Sequence, residues 1–388
     1  MKSSHKTLVL VLLVGAIGLF SFQCASPEMT SARLYVQQEQ WDDALMSLEN
    51  ELEHNPENAE AWYLKGRVHS ELGNFERMLA AFDRSKELSD EYEEEIDEAR
   101  FNNWVSFINA GIDEYNLGQE DPENYRTAIE LFELAAMMEP DSTVAYKNWG
   151  FAHLILGEME EALHPFEETL KREDDAEIAK FTGQIYFDKG YEIWNRHYGA
   201  DMDPELEQEM EEYFEEAIRF LTKSMEWDPE DGEVVATLSN AFIVLDRQEE
   251  AKDIFRQGIE TDPDNKIYYY NLGVLELEED NFEIAIELFE EAVELDPEYY
   301  DAYYNMGVAY VNWGVELREK AVAEGDEDKA YREKFEQAVP HLERVVDERP
   351  DDAELFETLG RLYANLDRVE EAEAAFDRAD ELRGTGGQ

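Results

Sequence analysis

A chain of 388 residues that carries 95 Asp and Glu against 33 Lys and Arg has a formal net charge of −62. Such a field repels phosphate backbones and anionic membrane surfaces, which weighs against nucleic-acid binding. The carboxylates are spread along the chain rather than gathered in one run, leaving two readings of the acidity open. One is adaptation to high salt, where a Debye length of about 3 Å at 1 M screens self-repulsion; the other is a basic partner.

At the N-terminus, Lys2 and Lys6 precede an apolar run from Leu8 to Phe22, followed by Cys24, the single cysteine of the chain. A run of about fifteen residues is short for a bilayer-spanning helix, which needs about twenty, so the segment reads as a secretory signal. A lone cysteine forms no internal disulfide, and its position suits an attachment point. The arrangement resembles that of bacterial lipoproteins, whose signal peptide is cut before a cysteine that then carries acyl chains. The resemblance implies a signal peptide over 1–23, a lipid-anchored tether over 24–29, and a place in the cell envelope. No retention cue follows the cysteine, which implies the outer membrane, facing the periplasm. Gln23 departs from the small residue usual at that position, and an ordinary secretory signal or an uncleaved anchor with an incidental Cys24 stays open.

From residue 30 onward one unit recurs, seen most plainly at Lys266–Glu298. With Lys266 as position 1, Tyr269, Leu272, Gly273 and Glu276 fall at 4, 7, 8 and 11, the spacing of one buried helix face. Ala285, Phe289, Ala292 and Pro297 fall at 20, 24, 27 and 32 on a second helix. A small residue at 8, another at 20 and a large apolar one at 24 recur as Ala32, Ala44 and Leu48; Gly66, Met78 and Phe82; and Gly111, Ala128 and Phe132. Next come Gly150, Ala162 and Phe166; Gly183, Ala217 and Leu221; and Ser239, Ala251 and Phe255. After the reference unit follow Gly307, Ala338 and Leu342, then Gly360, Ala372 and Phe376. This spacing resembles the tetratricopeptide repeat, and the resemblance implies an all-α, right-handed α-solenoid of about nine helix pairs over 30–383, with 384–388 a flexible tail.

Three repeats are longer. Position 8 to position 20 spans twelve residues from Gly273 to Ala285, but seventeen from Gly111 to Ala128, thirty-four from Gly183 to Ala217 and thirty-one from Gly307 to Ala338. The added sequence is helical in pattern: Tyr191, Trp194 and Tyr198 precede a turn in the fifth repeat, with Leu206, Met210 and Phe214 after it. In the eighth, Trp313 and Leu317 precede the turn, and Tyr331 and Phe335 follow. Elongated hairpins are therefore expected in repeats five and eight, each projecting about 15 Å at 1.5 Å per residue. They read either as docking elements or as packing against neighbouring repeats.

Solenoids of this family line a groove with positions 2, 5, 6, 9, 12 and 13 of the first helices. The resemblance places Tyr63, Lys147, Lys180, Tyr270 and Tyr304 at position 5, Asn148, Asn271 and Asn305 at 6, and Arg67, Phe151, Asn240 and Arg361 at 9. Asparagine both donates and accepts, so a row of it suits a peptide backbone, and Tyr adds rigid apolar area. The row resembles the asparagine ladder of the O-linked N-acetylglucosamine transferases, without any transferase domain. The Lys-and-Asn carboxylate clamp of chaperone-tail receptors is not met, because Lys147 is followed at position 9 by Phe151 and Lys180 by Gln184. His69 and His153 fall at position 11, a packing position, and His164 and His341 lack a partner nucleophile. No phosphate loop or calcium-loop spacing occurs. The reading is a non-enzymatic scaffold for a protein or peptide partner, needing no cofactor or metal, with a structural spacer or a small-molecule-binding or enzymatic helical protein as alternatives.

Overall fold

The computed structural model describes residues 26–198, 202–324 and 330–385, and they are helical and turn structure with no strand among them. The chain divides into two compact units at Ala145 and Tyr146. The first holds α1 (Pro27–Gln37), α2 (Trp41–His54), α3 (Ala59–Glu71), α4 (Phe75–Leu88), α5 (Glu93–Leu117) and α6 (Glu123–Met138). The second unit begins in the first turn of α7 (Thr143–Ile155) and continues with α8 (Met159–Leu170), α9 (Ala176–His197), α10 (Pro204–Trp227), α11 (Gly232–Val244) and α12 (Gln248–Thr261). It ends with α13 (Lys266–Glu278), α14 (Phe282–Leu295), α15 (Tyr300–Glu324), α16 (Ala330–Val346), α17 (Ala353–Asn365) and α18 (Val369–Thr385). Within each unit consecutive helices pack as hairpins, and the second helix of one hairpin packs on the first helix of the next, as α2 does on α3 and α14 on α15.

Polar residues start these helices. Asn58, Asp175, Asp203, Asp231, Asn265 and Asp352 each accept a backbone N–H of the first turn through their side chains, satisfying donors that have no intrahelical partner. Ser26 does the same for α1, with Pro27 at the first helical position, so the helix already takes in residues 27–29 of the segment read as a tether. Cys24 and the apolar run before it lie outside the described residues. At the other end α18 runs to Thr385, two residues past the expected stop, and exposes Glu370, Glu371, Glu373, Asp377, Asp380 and Glu381 while burying Ala372, Ala375 and Ala379. No described helix is long and apolar enough to cross a membrane.

The small residue at position 8 has one steric purpose. A Cβ built on Gly273 would sit 2.8 Å from Phe289 Cε1, one on Gly111 2.6 Å from Phe132 Cε1, and one on Gly183 2.6 Å from Leu221 Cγ. Where position 8 is glycine the helices thus approach until the large residue at position 24 rests on a bare backbone, and the alanines at position 20, among them Ala44, Ala128, Ala217, Ala251 and Ala285, are fully buried. Met78, the exception, is buried as well, between Phe82 and Ile96.

Seven residues further on, position 15 decides how long the hairpin becomes. In the short repeats it is the turn residue, with φ between 57° and 75° at Glu39, Gly73, Gly157, Asp246, Asp280 and Asp367. In the three lengthened repeats it is a glycine outside that left-handed region, laid against a second large residue: Gly118 on Tyr125, Gly190 on Phe214 and Gly314 on Phe335. Each of these large residues lies seven positions before the first one, so the close approach is repeated in antiparallel register. The helices α9 and α10 reach 22 and 24 residues, and α15 and α16 reach 25 and 17, against 13 and 14 for α13 and α14. In the third repeat α5 also starts early, taking up the Glu-rich stretch from Glu93 to Arg100.

The junction of α12 with α13 carries a buried charge. Lys252 on α12 is 1 % exposed and donates to Glu276 of α13 (3.2 Å) and to Glu279 just past its end (2.6 Å), while Asn281 donates to Glu276 at 2.8 Å.

Gly314→Ala should lower the urea midpoint, with a cost of about 1–3 kcal/mol from overpacking against Phe335. Asp280→Gly should raise it, through a gain in stability of up to about 1 kcal/mol, by relieving the left-handed turn. Gly384→Ala, whose Cβ meets nothing within 4 Å, is the control, and equal behaviour of Gly314→Ala and this control would refute the close-packing assignment.

Candidate functional site

The residues expected to line a groove are engaged to different degrees. In the first unit Tyr63 stacks on Tyr92 (4.8 Å between centroids), and the Arg67 guanidinium lies 5.9 Å from the Tyr63 ring. In the second, Phe151 sits edge-on to Phe166 (5.4 Å) and Phe181 (5.6 Å), as part of the apolar packing of α7 to α9. Tyr270 packs on Phe289 and Tyr299 and accepts a 3.0 Å hydrogen bond from Asn305 Nδ2, so two of the expected contacts face each other. Burial raises the phenols of Tyr270 and Tyr304, and Arg349 lies 5.1 Å from the Tyr304 ring. Asn148 and Asn271 are half-buried on α7 and α13.

The two lysines share one arrangement. Lys147 reaches Asp175 (2.7 Å), whose carboxylate caps α9, and Lys180 reaches Asp231 (2.9 Å), which caps α11. Each lysine also pairs with a second carboxylate, Glu173 or Glu233. Burial works against the charge on both ammonium groups, but the hydrogen bonds to these carboxylates outweigh it and raise them. Desolvation likewise opposes charge on Asp175 and Asp231, and their lysine and backbone hydrogen bonds overcome it and hold both below the usual carboxylate range. Position 5 is thus a clasp from one first helix to the cap of the next.

A cleft of about 450 Å³ opens elsewhere, between α9 and α11. Phe187, Tyr191 and Trp194 form one wall, and Asn240, Ile243 and Val244 the other. Phe187 and Ile243 fall at groove position 12, Val244 at 13 and Asn240 at 9, so the family's groove positions do converge here, one repeat before the expected floor at Tyr270 and Asn271. The aromatic wall continues along α9: Phe187 to Tyr191, Tyr191 to Trp194 and Trp194 to Tyr198 lie 5.8, 5.4 and 4.8 Å apart, and Tyr198 is 74 % exposed. The lower part of the elongated hairpin packs on α11, where Phe187, Trp194, Phe214 and Ala241 share a cluster. A polar row borders it: Thr237 donates to Gln184 Oε1 (3.2 Å), and Gln184 Nε2 donates to Asp188 Oδ1 (2.8 Å). Desolvation on the protein side of Asp188 raises its carboxyl, against the pull of that hydrogen bond.

The histidines are held in structural settings. His69 is buried on α3, which lowers its pKa. His153 accepts from Trp149 Nε1 at Nε2 (2.9 Å) and contacts Glu158 through Nδ1 (2.8 Å), and His341 stacks on Tyr310. No group of three or more metal-ligating side chains occurs among the described residues.

Asp231→Ala removes a helix cap and the Lys180 partner together, and a loss of about 1–2 kcal/mol is expected at pH 7. The folded carboxyl titrates below its unfolded value near 3.9, so its stabilisation is present above that pH and is lost as pH falls through the folded value. The stability gap between wild type and variant should therefore close in acid, and a gap unchanged down to about pH 2 would contradict the clasp.

Comparison with known proteins identifies the repeat. Two tetratricopeptide-repeat family models match residues 29–93 and 327–386, and 210–273, and a third, described as a TPR repeat, matches 275–314. No curated protein sequence matches the chain. Among solved structures, the crystal structure of MamA is 22 % identical, with 48 % of this chain and 98 % of that one covered, at a TM-score of 0.36. YrrB, described as a TPR protein with an unusual peptide-binding site, is 21 % identical, with coverage of 58 % and 95 % and a TM-score of 0.40. The C-terminal part of a TPR repeat-containing protein from Cytophaga hutchinsonii is 17 % identical, with coverage of 71 % and 96 % and a TM-score of 0.49. The family matches fall in both units, and the chain is built of tetratricopeptide repeats.

Proposed function

We propose that the chain is a binding scaffold that holds a protein or peptide segment against the first-helix face of its second unit, tethered to the outer membrane, facing the periplasm, by acyl chains on Cys24. The observation that carries the binding role is the cleft between α9 and α11, with an aromatic wall, an aliphatic wall and one amide. Such a surface encloses an apolar side chain while Asn240 pairs a backbone group, which is the division of labour of a recognition site. Its lining residues include no carboxylate, histidine or thiol, which favours binding over turnover. Tyr270, Asn271, Tyr304 and Asn305 extend the same face along α13 and α15.

Crosslinking in cells followed by capture of the tagged chain at about 1 M NaCl, where surface charge is screened, should yield a reproducible partner. Tyr191→Ala with Asn240→Ala, both at exposed positions, should lose that partner while melting as the wild type does. Retention of the partner would remove the cleft, and the same capture with Asn271→Ala plus Asn305→Ala tests the α13 and α15 surface.

The envelope setting rests on Lys2, Lys6, the apolar run and Cys24, and the dispersed acidity reads as adaptation to high salt. Labelled palmitate should enter the wild type and not Cys24→Ser. The melting temperature should rise between about 0.05 M and 2 M NaCl. Labelling that survives the substitution, or a melting temperature indifferent to salt, would count against each reading in turn.

A further inference from the structure

The chemistry around the α9–α11 cleft narrows the partner. Nearby cations on α9 are already consumed: Lys180 by Asp231 and Glu233, Lys189 by Glu160, and Arg196 by Glu192. Asp188 is the contrast. It sits one helical turn before Tyr191, takes a hydrogen bond from the neutral Gln184 amide, and has no ion-pair partner among the described residues. Beside it Tyr191 is exposed, and Tyr198 is exposed at the far end of the aromatic wall; an aromatic face attracts a cation through its quadrupole. At close range the Asp188 carboxylate repels an anionic segment and draws in a cationic one, a contact that screening by salt leaves in place.

Resting on the binding role proposed above, we propose that the cleft takes an extended segment in which a Lys or Arg stands next to an aromatic or aliphatic residue. The apolar side chain enters between Tyr191 and Ile243, the cation pairs with Asp188 and lies against the aromatic wall, and Asn240 bonds the backbone. Partial desolvation of Asp188 fits this assignment, because a carboxylate that is costly to ionise gains most from a cation.

The test uses the full chain and three fluorescein-labelled hexapeptides of alternating residues: Arg and Phe, Ser and Phe, and Glu and Phe. Titrations followed by fluorescence anisotropy are run at about 1 M NaCl, where a Debye length of about 3 Å leaves only close pairs effective. The Arg–Phe probe should bind tighter than the Ser–Phe probe, and the Glu–Phe probe should not bind. Asp188→Asn should weaken the Arg–Phe probe about tenfold and leave the Ser–Phe probe unchanged. Tyr191→Ala with Asn240→Ala should weaken both. Equal binding of the Arg–Phe and Ser–Phe probes, indifferent to Asp188→Asn but sensitive to the paired substitution, would overturn the cationic partner and leave the cleft as a binding site. Arg–Phe binding indifferent to the paired substitution would overturn the cleft itself, and absence of Arg–Phe binding up to about 1 mM would overturn the proposal.

Discussion

The contact on which the architecture depends is that of a large apolar side chain on a bare helix backbone. Phe289 on Gly273, Phe132 on Gly111 and Leu342 on Gly307 set how closely the two helices of a hairpin lie, and with it the room left for the fully buried alanines at position 20. Interiors are packed near crystal density, so an added methyl at such a point has nowhere to go. Everything downstream follows from that spacing: the stripe each hairpin offers to the next and the angle at which the first helices meet.

Much of this was readable in the sequence, because the contact requires particular residue sizes at fixed intervals. A small residue at 8 and 20 and a large one at 24 can be counted without coordinates. The fate of position 15 could not be. Gly73 is left-handed and ends its helix, whereas Gly190 lies inside α9, outside the left-handed region; the difference lies in whether the returning helix brings a large residue back to that point, as Phe214 does. A glycine suits both conformations, so the residue alone does not decide between them.

The candidate site divides in the same way. Position rules gathered residues on one face but did not give the use of each. Lys147 and Lys180 have the character of ligand contacts, yet their partners Asp175 and Asp231 are helix caps that only folding brings near. Tyr270 and Asn305 likewise find each other across two hairpins. The cleft forms where the elongated α9 carries aromatic residues beyond the length of an ordinary repeat, and that depends on Gly190 allowing α9 to continue past the usual turn. Lys252 and Glu276 illustrate a further limit: a buried ion pair joins consecutive hairpins, and a Lys at one position and a Glu twenty-four residues later carry no local signature of it.

Because the second glycine contact repeats the first after seven residues on each helix, a hairpin of this kind can grow in modular steps. Two turns added to the outgoing helix and two to the returning one restore the same facing pair, and the base, where neighbouring repeats make their contacts, is left as it was. Each step adds about 10 Å of reach. Length in such a repeat is therefore a variable that paired insertions can change independently of the stack, so new surface can be acquired at a hairpin tip without renegotiating the core beneath it.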